Sequence, residues 1–132
     1  VIESDRTLTE RLRKDGVRVI YGDASREAVL AAAHPQHARL MIVTVPDAYF
    51  AKQIVKAARK AQPGIEIVVR THSDEEARTM NKLGVGLAVM GEREIAFGII
   101  YHVLQSLGLD TDQTRNTIGQ LRTTIYGTDR LG

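Results

Sequence analysis

Cysteine is absent from the 132 residues. That excludes disulfide bonds, thiol catalysis and Cys-ligated zinc, and it suits a reducing compartment. Long apolar runs are missing too. None approaches the roughly 20 residues that a membrane-spanning helix needs, and no secretory signal peptide is visible. Charge of one sign is not in excess. Eighteen Lys and Arg against sixteen Asp and Glu leave a formal net charge of +2. The signs alternate along the helical stretches and form no basic block, so nucleic acid is not an expected partner despite a calculated pI of about 9.1. Three signatures are also lacking. Without a G-x-S-x-G elbow, serine hydrolysis is unsupported. Without a P-loop, nucleoside triphosphate hydrolysis is unsupported. Without G-x-G-x-x-G after a first strand, the usual backbone cradle for a pyrophosphate is missing.

What is present is an ordinary globular mixture, 43% apolar and 26% charged, of a size for one domain with one core. Val1-Ile2-Glu3 reads as a strand end, so the chain is expected to be cut from something longer. Asp5 caps a helix to about Asp15 with Leu8 and Leu12 on one face, and Gly16 stops it. Val17 to Tyr21 is a strand, followed by the turn Gly22-Asp23-Ala24 and a short helix from Ser25 to about Ala33. Leu40 to Val45 is nearly all apolar, the pattern of a strand buried on both faces. Pro46-Asp47 opens a helix with Ile54, Val55 and Ala58 inward, and Pro63-Gly64 breaks it. Ile65 to Val69 is a strand, Ser73-Asp74-Glu75-Glu76 caps a helix to about Leu83, Leu87 to Met90 is a last strand, and a helix runs over 92–107. This alternation predicts an α/β fold, a parallel sheet with helices on both faces and right-handed crossovers. Residues 109–132 are polar and contain Gly119, Gly127 and Gly132, which predicts a loosely packed tail with one short helix around Gln113 to Leu121.

In such sheets ligands bind beyond the carboxyl ends of the strands. Those ends carry Glu3, Asp23, Thr44 and Arg70. A carboxylate at Glu3 suits ribose hydroxyls. Asp23 can meet an adenine edge, and Thr44, Val45 and Pro46 bring a hydroxyl and free backbone to ribose or phosphate. Arg70 supplies charge to phosphate. Each has a plainer role as well: helix cap, turn residue, strand terminator or solvated cation. Gly84-Val85-Gly86 lies between a helix and a strand, the wrong order for a phosphate turn, and reads as a helix end. His34 and His37 are three apart with Pro35 between them and no acid pair nearby, so no metal is predicted.

The segments Val1-Ile2-Glu3-Ser4-Asp5, Val19-Ile20-Tyr21-Gly22-Asp23-Ala24, Val43-Thr44-Val45-Pro46-Asp47 and Val89-Met90-Gly91-Glu92-Arg93-Glu94-Ile95-Ala96 resemble the regulator-of-potassium-conductance family, also called the TrkA N-terminal domain, and within it the Kef-type potassium:proton antiporters. The similarity covers about residues 1–108. It implies a Rossmann-like regulatory domain that does no chemistry, binds NAD(H), AMP or a related adenine nucleotide, and gates transport. By position, Glu3, with Ser4 and Asp5 in the same turn, would hold ribose. Asp23 and Ala24 would line the adenine pocket, and Thr44, Val45 and Pro46 would lie beside the nucleotide. The helix over 92–107 would cross to a partner subunit and make a homodimer. The domain would be joined to a membrane transporter domain of the same polypeptide, at the cytoplasmic face of a bacterial inner membrane. The family's glycine-rich first β-α unit is missing here, so half the phosphate site and the central strand would be absent. Within the same architecture, two other readings are a receiver-like phosphoacceptor domain and the cofactor-binding half of an NAD-dependent oxidoreductase. The first wants a lysine where Arg70 stands, and the second wants a catalytic domain larger than the 109–132 segment.

Overall fold

A computed structural model describes residues 1–129, with side chains to residue 127. The elements are β1 (Ile2–Glu3), α1 (Arg6–Lys14), β2 (Ile20–Tyr21), α2 (Glu27–Ala32), a 3₁₀ turn (Pro35–His37), β3 (Leu40–Val43), α3 (Ala48–Ala61), β4 (Glu66–Thr71), α4 (Asp74–Lys82), β5 (Leu87–Met90), α5 (Gly91–Ser106) and α6 (Thr111–Asp129). Every strand pairing is parallel. The expected α/β architecture is present, but the strands form two sheets, β1-β2 and β3-β4-β5. No ladder joins β1 to β3. This is the place where the sequence reading leaves out a central strand.

The two sheets run the same way. The beginnings of β1, β2 and β3 share one depression, lined by Val1, Val19, Ile20 and Ala38. Ala24, just after β2, and Thr44 and Val45, just after β3, share another. All strand ends therefore point to one rim.

Caps form as the side chains dictate. Asp5 accepts the Leu8 N–H at 2.7 Å, Asp47 those of Tyr49 and Phe50 at 2.9 and 3.0 Å, and Ser73 that of Glu76 at 3.2 Å. The core lies on one face of β3-β4-β5. Val43, Ile67, Val69 and Ala88 meet Ala51, Ile54, Val55 and Ala58 of α3 and Ala77 and Met80 of α4. The opposite face is open. The register sets Leu40 and Ile42 beside Glu66 and Val68, with Leu87 beyond. Leu40 is 50% and Ile42 64% exposed. The apolar run from Leu40 thus builds a strand with one buried face, not two. β2 is also shorter than the run from Val17 predicts. Among the described residues it pairs only with β1.

Arg59 ties three connections together. From α3 it donates to the carbonyls of Pro63 and Ile65 at 2.9 and 2.6 Å and to that of Gly84 in the turn before β5. Gly84 itself has φ of +74° and ends α4, as its place between helix and strand predicts.

The C-terminal segment corrects the sequence reading. The expected loose polar tail over 109–132 is a 19-residue helix, α6, as far as the described residues extend. Asp110 accepts the Gln113 N–H at 2.8 Å and Gln113 returns the bond to the Asp110 N–H at 3.2 Å, a reciprocal cap. Thr114 and Ile118 are buried and Leu121 and Ile125 half-buried, at spacings of four, three and four. Gly119 and Gly127 look into open space, where a missing side chain costs no packing. Near its end the helix is clasped to α5. Glu94 accepts from Arg122 at 3.0 Å and from the Tyr126 hydroxyl at 2.8 Å. The Arg122 guanidinium lies 4.7 Å over the Phe97 ring. Partial burial, then the Glu94 carboxylate, pushes the Tyr126 phenol above its ordinary value.

Two outcomes are expected in urea unfolding. Arg59→Ala lowers stability by about 2 kcal/mol because three carbonyls lose a charged donor, and Arg59→Lys restores only part of it. The buried Thr114 hydroxyl has no partner among the described residues, so Thr114→Val raises stability by roughly 1 kcal/mol. A fall on this second substitution contradicts the accounting.

Candidate nucleotide-binding site

The rim is built outward from three strand tips. At the end of β1, a Glu3 Oε accepts the Asp5 N–H at 2.7 Å. That folds the turn Glu3-Ser4-Asp5 back on itself and leaves the second carboxylate oxygen without a partner among the described residues. The turn is pegged from below by Thr9, only 1% exposed, whose hydroxyl donates to the carbonyl of Asp5 at 2.8 Å and lies 3.4 Å from that of Glu3. The Glu3 carbonyl also accepts the Gly22 N–H at 2.9 Å, which joins the tip of β1 to that of β2.

Beyond β2 the chain turns sharply. A Cβ on Gly22 would stand 3.0 Å from both γ-carbons of Val29, so glycine lets α2 seat against the turn. Asp23 then accepts both the backbone N–H and the hydroxyl of Ser25, at 2.8 and 2.7 Å. The Ser25 hydroxyl first, then its N–H, hold the Asp23 carboxyl below the ordinary carboxylate range. Ala24 and Val45 both pack against the core. After β3, Thr44 and Pro46 are exposed and Val45 half-buried, and Asp47 is spent on capping α3.

A cavity of about 420 Å³ opens between the two sheets, lined by Ile2, Ala24, Val43, Thr44 and Val45 among others. Of the residues singled out from sequence, the structure brings Ala24, Thr44 and Val45 together in this cavity and sets Glu3, Ser4, Asp5 and Asp23 at the same end of the strands. Pro46 follows directly on Val45. Arg70 stands apart. It ends on β4 at the level of Thr44, but its Nε lies 3.6 Å from where a Cβ of Gly91 would be. The Arg70 charge reaches Glu92, whose carboxyl is lowered mainly by its own backbone N–H and then by His72, 3.6 Å away.

The donor set fits part of a nucleotide. A carboxylate with a free oxygen suits sugar hydroxyls, and apolar walls formed by Ala24 and Val45 suit a base. No cationic side chain lines the cavity, so the described residues hold the nucleoside end better than the phosphate end. The Thr9 peg was missed by sequence reasoning. Its signal is a threonine four residues after the helix cap, placed to bond back to the carbonyl of Asp5. No group of three or more His, Asp or Glu able to hold a metal occurs among the described residues.

Parallel strands, flanking helices and polar tips on one rim define a Rossmann-like domain. The chain belongs to the TrkA-N domain family, whose model matches residues 1–91. YbaL of Escherichia coli K12, named for cation/proton antiport, is 44% identical over 96 residues, 73% of this chain but 17% of that protein. The crystal structure of the TrkA-N domain of the inner membrane protein ybaL superposes with a TM-score of 0.70 at 39% identity, over 83% of this chain and 77% of that one. The Shewanella denitrificans Kef CTD in AMP-bound form covers 98% of this chain and 93% of its own at 22% identity, TM-score 0.78. The GsuK channel bound to NAD gives 0.67 at 17% identity, over 76% of this chain and 18% of that one. The chain spans under a fifth of the length of these curated relatives.

Ser25→Ala is expected to raise the Asp23 carboxyl toward its ordinary value by removing the larger of the two bonds that lower it, read from the carboxyl carbon shift against pH. No movement would mean that the Asp23–Ser25 turn does not form.

Proposed function

We propose that this domain is a regulatory nucleotide sensor of a bacterial potassium:proton antiporter or potassium transporter, with AMP or NAD(H) as ligand and no catalytic step. The observation that carries this reading is the meeting of strand tips at one rim, with Thr44 and Val45 just after β3, Asp23 and Ala24 just after β2, and the half-free carboxylate of Glu3 at the end of β1. Glu3 takes the ribose hydroxyls, the turn Asp23-Ala24 faces the base, and Thr44, Val45 and Pro46 lie along the sugar. A strand, turn and helix entering between β1 and β3 would pair both open edges, cover Leu40 and Ile42, and bring the backbone N–H groups that the phosphate lacks. The AMP of the Kef CTD and the NAD of the GsuK channel support this class of ligand.

The output runs through α5. Its Ile95, Ile99, Val103 and Leu107 stand four apart along one exposed stripe, from 49% exposure at Val103 to 73% at Leu107. A continuous apolar stripe on a helix already packed along another side suits the same helix of a second copy. The homodimer so formed sits at the cytoplasmic face of the inner membrane. It passes the ligand state to the transporter domain of the same polypeptide, as a bias between two arrangements that the ligand binds unequally.

In the protein that carries this domain, millimolar AMP, ADP or NAD(H) is expected to raise the melting temperature, and Glu3→Ala to abolish the gain. A melting temperature flat across all of them ends the sensor reading. Ile99→Asp is expected to convert the dimer to monomer in sedimentation. A dimer that persists removes α5 as its seam.

A further inference from the structure

Of the residues of α1, only Thr9 is buried, and it is polar. Leu8 is exposed and Leu12 half-buried. A buried position stabilises a fold most when an apolar side chain takes it. Here it goes to a hydroxyl whose two acceptors both lie in the turn after β1. The hydroxyl donates to the Asp5 carbonyl at 2.8 Å and reaches the Glu3 carbonyl at 3.4 Å.

Neither carbonyl needs it. That of Asp5 already accepts the Thr9 N–H at 2.9 Å, the first bond of the helix, and that of Glu3 accepts the Gly22 N–H at 2.9 Å. The hydroxyl therefore satisfies no orphaned group. What it adds is a restraint. The Glu3 and Asp5 carbonyls belong to the peptide planes on either side of the Ser4–Asp5 peptide. One donor anchored in the helix and reaching both fixes those planes relative to each other. The plane between them carries the Asp5 N–H, which holds one carboxylate oxygen of Glu3 at 2.7 Å. Threonine suits the task because its branched Cβ limits χ1 and its hydroxyl bonds back to the carbonyl four residues earlier.

We propose that Thr9 is a positioning residue for the Glu3 carboxylate, and that this restraint makes the domain select an adenosine ribose over its 2′-deoxy form. The inference rests on the sensor reading, in which Glu3 takes the ribose hydroxyls. One oxygen of Glu3 is tied to the Asp5 N–H. The other, unpartnered among the described residues, is left for the sugar. Its direction is set by three links in series: the Thr9 hydroxyl, the Asp5 backbone and the Glu3 carboxylate. A hydrogen bond weakens steeply as its angle closes, so a carboxylate held in one orientation bonds the 2′-hydroxyl more strongly than one that swings. Preorganisation of this kind acts only on the bond that the carboxylate makes. It shows as selectivity for the hydroxyl and not as overall affinity.

The test is calorimetric titration of the protein that carries this domain with AMP and with NAD, each beside the analogue that lacks the 2′-hydroxyl of the adenosine ribose. The expected preference for the hydroxylated form is about tenfold or more, the range of a hydrogen bond to a charged group. Glu3→Ala erases it. Thr9→Val keeps the buried volume and removes the hydroxyl. It is expected to cut the preference by roughly threefold or more, with the deoxy forms bound as before. Thr9→Ala gives the same result in a second background, and Thr9→Ser, which returns the hydroxyl, restores the preference. Both carbonyls keep their backbone donors in every variant of Thr9, and an unaltered melting temperature without ligand checks folding. A side chain that only packs the helix would change both affinities together or neither. A preference that stays native in Thr9→Val and Thr9→Ala while Glu3→Ala erases it overturns the role of Thr9 and leaves the sensor reading standing. An equal loss for the two forms does the same. Native protein that binds both forms alike takes Glu3 off the ribose and the proposal with it, and absence of binding by every nucleotide ends the sensor reading as well.

Discussion

The open edge of β3 governs the molecule. A β-strand carries N–H and C=O groups along both sides, and each must find a partner or stay in water. β4 satisfies one side of β3. The other faces a cavity, and across it β1 presents its own free edge. Two parallel sheets that share a direction but not a ladder are joined by the chain through α2 and the 3₁₀ turn, and Ala24, Leu30, Pro35 and Val45 line the space between them.

From that gap follows the asymmetry of the core. On one face of β3-β4-β5 the side chains of Ile67 and Val69 are sealed by α3 and α4. On the other, Leu40 and Ile42 remain in solvent. Fully burying such a side chain is worth about 1.5 to 3 kcal/mol, and with Leu40 50% and Ile42 64% exposed, whatever covers this face gains roughly 2 to 3 kcal/mol from the two. Anchoring is strongest at the opposite edge, where Arg59 links α3 to the turn before β5 and the Glu94 clasp holds α6 on α5.

Much of this was legible in the sequence where the signal is local. Asp5, Asp47 and Ser73 announce helix starts because a side chain bonds an N–H only two or three residues on. The alternation of strand and helix suffices for a parallel sheet, and the segments around Glu3, Asp23 and Thr44 suffice for the family. What was not legible depends on neighbours distant in sequence. The run from Leu40 reads as doubly buried, yet burial of its outer face depends on an element that nothing in the run specifies. α6 was misread because glycines were counted without asking which way they face. Gly119 and Gly127 lie off the Thr114, Ile118, Leu121 and Ile125 stripe, and Asp110 with Gln113 already spelled the cap. The position of Arg70, turned toward Gly91 and away from the cavity, is a matter of side-chain direction that spacing does not encode.

Met90 is both the last residue of β5 and the cap of α5, so strand passes into helix with no loop between them. That junction has no slack. An insertion or deletion of one residue there would rotate α5 by about 100° about its axis, carry Ile95 and Ile99 away from their present heading, and pull Glu94 off Arg122. Loops elsewhere in the chain can lengthen or shorten without turning α5 about its axis. The Met90–Gly91 joint has no such freedom.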